Sequence, residues 1–96
     1  MSLIPFRSAQ TIMITASTTA VSGSFTAKGP AVVVTNPTSY IAFVDLTGNA
    51  ATTSSFPVLP GQKVLLSGGT TTPSISVIFP TGSGNVYASI GNGTSI

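Results

Sequence analysis

Four side chains carry all the formal charge of this 96-residue chain: Arg7, Lys28, Asp45 and Lys63. Histidine, cysteine, glutamate and tryptophan are absent. A Ser-His-Asp arrangement therefore has no base, and general acid–base work by paired carboxylates has no partner for Asp45. Zinc has no donor set. Carbonyls around Asp45, Thr47 and Asn49 could approach a calcium ion, but such sites recruit more carboxylates. Asp45 reads instead as a strand-end residue whose carboxylate caps the Thr47-Gly48-Asn49 turn. No catalytic residue, cofactor site or metal site is expected, and the chain reads as non-enzymatic.

The remaining motifs are weaker. Gly82-Ser83-Gly84 and Gly91-Asn92-Gly93 lack the downstream helix and the lysine that phosphate binding uses, so they read as turns. Asn92-Gly93-Thr94 fits a glycosylation sequon, a pattern short enough to arise by chance. The net charge of +2 comes from cations spread along the chain. Binding to a phosphate backbone needs them clustered, so no nucleic-acid partner is expected. The aromatic residues are Phe6, Phe25, Tyr40, Phe43, Phe56, Phe79 and Tyr87. Without interleaved cations they do not form a stacking platform, and core packing accounts for most of them. Tyr40 and Tyr87, with a polar tip, are candidate interface anchors.

The elements that must position these residues are strands. Thr11–Ala16, Phe25–Ala27, Ala31–Thr35, Tyr40–Leu46, Gln62–Ser67, Ser74–Phe79 and Val86–Ile90 are β-branched or alternating runs separated by turn residues. Ala31–Thr35 is apolar enough to be covered on both faces. Asn36-Pro37-Thr38-Ser39 is turn chemistry, so residues 31–46 are expected as a central hairpin. Pro60-Gly61 predicts a type II turn. Ser74–Phe79 is expected to point Ile75, Val77 and Phe79 inward with Ser74 and Ser76 outward. Val33 and Phe43 are expected core positions, where a buried charge would destroy the fold. The pattern predicts an all-β fold, a compact β-sandwich or small barrel of about six to eight short antiparallel strands. Residues 11–96 form its single domain. Residues 1–10 are expected as an extended N-terminal arm, whose Leu3, Ile4 and Phe6 could dock on a neighbour.

Composition points to assembly. Charged residues make up 4% of the chain, against about 25% in an average soluble domain. Hydroxyls hydrate a surface but do not repel neighbours, so such a chain is prone to self-association. No secretion signal is expected in the first residues, and no apolar run approaches the roughly 20 residues of a membrane helix. The chain is expected to be made in a cytoplasm without a membrane partner.

Val32-Val33-Val34-Thr35-Asn36, Ala42-Phe43-Val44, Ala51-Thr52-Thr53, Phe56-Pro57-Val58-Leu59-Pro60-Gly61 and Asn85-Val86-Tyr87-Ala88-Ser89-Ile90-Gly91 together resemble small phage virion structural proteins of the capsid decoration or cement type. The resemblance spans about residues 10–93. It departs at Leu65-Leu66, which has no acidic residue nearby. It implies a virion protein on the capsid exterior, made in the host cytoplasm, that cements the capsid through apolar and neutral hydrogen-bond contacts. Its implied partners are the major capsid protein and further copies of itself, as a homo-oligomer expected to be a trimer. The alternative is a receptor- or glycan-binding module of a phage tail fibre or adhesin, for which Asp45, Asn49 and Tyr40 are the one cluster to nominate.

Overall fold

The computed structural model describes residues 5–67 and 74–93. They form eight strands and, among the described residues, no helix: β1 Arg7–Ala16, β2 Val21–Ser24, β3 Ala31–Thr35, β4 Ala42–Asp45, β5 Phe56–Val58, β6 Lys63–Ser67, β7 Ser74–Ile78 and β8 Gly84–Asn92. Two four-stranded sheets result, ordered β1-β8-β3-β6 and β2-β7-β4-β5, and every pairing is antiparallel. The first strand pairs with the last, the second with the seventh, the third with the sixth and the fourth with the fifth. The chain is thus a long hairpin doubled back on itself and rolled, which is the jelly-roll arrangement of an all-β sandwich.

Side-chain alternation explains the layers. Ile12, Ile14 and Ala16 of β1, Val86, Ala88 and Ile90 of β8, and Val32 and Val34 of β3 turn to one side. They meet Ala42, Val44, Val58, Ile75 and Val77 from the opposing sheet, and Phe25 and Phe79 pack in the same core. Nearly all of these side chains are β-branched or small, so two pleated surfaces close on each other without long side chains. At the β1–β2 end the sheets come close: a Cβ placed on Gly23 would stand 2.9 Å from Cδ1 of Ile12.

The hairpin expected over residues 31–46 does not form. Its two strands lie in different sheets, β3 between β8 and β6, and β4 between β7 and β5. The cause lies at Asn36. Its backbone N–H donates to the Gln62 carbonyl at 2.9 Å, and its carbonyl accepts from Gly61 N–H at 2.8 Å. Those groups are therefore spent on the β5–β6 connection and are not available to fold the chain back. The Asn36 side chain is fully buried. Its amide donates to the carbonyls of Tyr40 at 2.8 Å and Val58 at 3.0 Å, and its oxygen accepts from the Thr38 amide at 3.1 Å and hydroxyl at 2.6 Å. Pro60-Gly61 forms the expected type II turn, with Gly61 at φ +72° and Gln62 N–H donating to the Leu59 carbonyl.

Four further expectations need correction. Gly91-Asn92-Gly93 is not a turn: Gly91 and Asn92 continue β8, paired with Ser8 and Arg7 of β1. The strand foreseen at Phe25–Ala27 lies earlier, over β2, because Oε1 of Gln10 accepts from the amides of Thr26 and Ala27 and so removes both from any ladder. Ser76 does not point to solvent: the loop after β4 folds over it, and its hydroxyl accepts from the buried Ala51 amide at 2.9 Å. Phe43 alternates with buried Ala42 and Val44, so it lies half-buried on the outward side of its sheet. Val33 is buried as expected. The foreseen turn over residues 68–73 lies outside the described residues.

Replacing Asn36 tests the junction. Asn36→Ala takes the amide donor from the buried Val58 carbonyl, leaves the Tyr40 carbonyl with the Thr38 hydroxyl alone, and is expected to cost about 1–3 kcal/mol in urea unfolding. Asn36→Asp, which turns an acceptor toward those carbonyls, should cost more. An effect below about 0.5 kcal/mol for Asn36→Ala would show that the junction does not hold the sheets.

Candidate functional site

The outward face of the β1-β8-β3-β6 sheet is built by the residues that alternate with the core. Strand register places Thr11, Ser89, Val33 and Leu65 in one cross-strand row and Met13, Tyr87, Thr35 and Lys63 in the next. Thr15 pairs with Asn85 beyond them. Hydroxyls and the amide lock this face: Thr11 and Ser89 hydrogen-bond at 2.6 Å, and the Thr15 hydroxyl donates to Oδ1 of Asn85 at 2.7 Å. Between those two bonds lie Met13, 55% exposed, and Tyr87, 39% exposed. The β1–β8 half of the face carries no charge between Thr11 and Thr15 or between Asn85 and Ser89; Lys63 stands at the far end of its row and Arg7 at the start of β1.

This face presents, among its described residues, hydroxyls, a phenol, a thioether and the Lys63 amine, and no carboxylate, imidazole or thiol. It can make many neutral hydrogen bonds around an apolar centre. A thioether and a phenol ring side by side combine an adaptable contact with a rigid amphipathic one.

The candidate anchors fall in three places. Tyr87 is at the centre of this face. Phe6 lies on the same side, half-buried, and borders with Pro5, Ser8, Val33, Thr35, Lys63 and Ser89 a groove of about 540 Å³. Its backbone runs against Gly93, and its ring tip would be 3.1 Å from a Cβ on Gly91. Phe6 is thus seated on its own sheet. Of the expected arm, Arg7 to Gln10 begin β1, and Leu3 and Ile4 lie outside the described residues. Tyr40, 42% exposed, is in the turn after β3 with its ring against Gly82, where a Cβ would meet Cε2 and Cζ at 2.6 Å. Part of its surface therefore holds two turns together.

Asp45 does what its spacing predicts: its carboxylate accepts from the amide and hydroxyl of Thr47, and Nδ2 of Asn49 donates to that hydroxyl at 3.1 Å. Tyr40 precedes β4 and Asp45 ends it, so the length of that strand, about 10 Å, stands between Tyr40 and the turn that holds Asp45 and Asn49. The aromatics are also less buried than expected. Only Phe25 and Phe79 are in the core, and Phe56 is 48% exposed at the β5 edge.

Sequence reasoning passed over Met13. The signal was present in Thr11-Ile12-Met13-Ile14-Thr15, whose alternation sets Met13 on the threonine side, opposite the isoleucines. The chain matches no protein-family model, no curated protein and no solved structure.

The face should be separable from the fold. Tyr87→Ala is expected to change unfolding free energy by less than about 1 kcal/mol, whereas Ile90→Ala, on the inward side of the same strand, should cost about 2–5 kcal/mol. Equal losses in denaturant titrations would mean that Tyr87 is part of the core.

Proposed function

We propose that this chain is a non-enzymatic virion structural protein that decorates and cements a phage capsid. The observation that carries the reading is the uncharged stretch of the outward face over residues 11–15 of β1 and 85–89 of β8, with Met13 and Tyr87 at its centre. A cement protein needs a rigid frame and broad complementary surface, and no reactive group. Contacts made of buried apolar area and neutral hydrogen bonds respond little to salt, unlike exposed ion pairs. Many copies on a symmetric shell add geometric avidity to each contact.

The jelly-roll order supports the reading only at the level of fold, since it recurs in viral capsid domains and in lectins alike. What favours the capsid over a glycan is local. The Asp45 carboxylate is engaged by its own turn, and Tyr40 is used against Gly82. The resemblance of residues 10–93 to virion decoration proteins points the same way. In this reading the partners are the major capsid protein and other copies of the chain, and the place is the capsid exterior.

Purified protein should bind saturably to phage heads stripped of this component, at a stoichiometry set by a symmetry position. Binding should persist from about 0.1 to 1 M salt, and Tyr87→Ala should weaken it without lowering the melting temperature. Absence of binding to stripped heads, together with retention on a glycan array, would move the function to the adhesin reading.

A further inference from the structure

Each sheet has two edge strands, and three of the four are blunted. β2 is four residues long with Gly23 inside it, β5 is three residues around Pro57, and β6 begins on the exposed Lys63. Short length, proline, glycine and lysine all discourage the addition of another strand. β1 is different. It is ten residues long, contains no proline or glycine, and carries its only charge at Arg7.

Its free stretch has defined limits. Register slips between Ser8 and Gln10, and the Gln10 side chain is committed to Thr26 and Ala27. At the other end, the Ser17 carbonyl accepts from Phe79 N–H at 2.9 Å, drawing the chain across to the other sheet. Residues 11–16 remain, in regular register with β8 on one side and, among the described residues, with no strand on the other.

This stretch is self-complementary. Read in either direction, residues 11–15 are Thr-Ile-Met-Ile-Thr. An antiparallel pair about a two-fold axis at Met13 sets Thr11 opposite the partner's Thr15, Ile12 opposite the partner's Ile14, and Met13 opposite itself. Every residue then meets one of its own kind on the correct face. No like charges oppose, and threonine pairs and β-branched pairs are favourable cross-strand neighbours. Ile12, half-buried in a single copy, gains cover from the partner's Ile14. An isologous contact of this kind closes after two copies.

We infer that β1 pairs with β1 of a second copy of this chain, joining two β1-β8-β3-β6 sheets into one continuous sheet across a two-fold axis at Met13. The pair stands in place of the trimer expected from the sequence. It rests on β1 alone, so it holds or fails independently of capsid binding.

The chain has no cysteine, which makes disulfide trapping selective. In the full-length protein, Met13→Cys puts two thiols directly opposite, within the Cα separation a disulfide spans. Tyr87→Cys is one strand further in, about 14 Å from its symmetry mate, beyond that reach. Oxidation is expected to convert most of the Met13→Cys protein to a covalent dimer and to leave Tyr87→Cys monomeric. Met13→Lys, at an exposed position, should melt like the wild type at concentrations where both are monomeric, while raising the dimer dissociation constant at least about tenfold. Equal trapping of both cysteine variants would overturn the inference. So would a wild-type protein that sediments as a trimer, or as a monomer at concentrations on the order of 0.1 mM.

Discussion

The fold depends on one buried amide. Asn36 ends β3 where the chain must leave one sheet and enter the other, and where the β5–β6 turn makes the same crossing in reverse. Its backbone binds Gly61 and Gln62 while its side chain bridges Tyr40, Val58 and Thr38. A buried amide left without partners would be costly, but here donors and acceptors are matched. Among the described residues no buried side-chain nitrogen or oxygen lacks a hydrogen bond. The same matching fixes which crossing is made, because an alternative hairpin would strand those groups. A nearly charge-free chain has few ion pairs with which to specify a topology, and neutral hydrogen bonds take that part.

The neutrality carries over to the surface. Hydroxyls of Thr11, Thr15 and Ser89 are used among themselves and with Asn85 on the outward face, which leaves a preorganised surface around Met13 and Tyr87. Preorganised side chains lose little entropy when they meet a partner. Such a surface suits permanent contact in an assembly better than steering of a diffusing ligand, which relies on charge.

Much of this was legible before the fold was known. β-branched runs, alternation in Ser74–Phe79, the Pro60-Gly61 turn and the Asp45 cap all follow from local chemistry, and local chemistry decided them. Partner choice did not follow, because alternation reports which way a side chain faces and says nothing of which strand lies alongside. Residues 31–46 therefore resembled a hairpin, although β3 pairs with strands far along the chain. Asn36 looked like an ordinary turn residue; its burial arises only when residues 58–62 arrive. Ser76 looked solvent-facing because the loop that covers it has no periodicity of its own. Met13 was the opposite case, readable from its threonine neighbours but obscured by the isoleucines beside it.

A rigid junction holds the two sheets together, and native-state amide hydrogen exchange reads that rigidity residue by residue. The amides of Asn36 and Gly61, although both lie outside the strands, should exchange only through global unfolding, with the same free energy as Val32 and Val34 in β3. If they instead exchange through local opening at free energies typical of surface loops, the Asn36 junction does not hold the two sheets together.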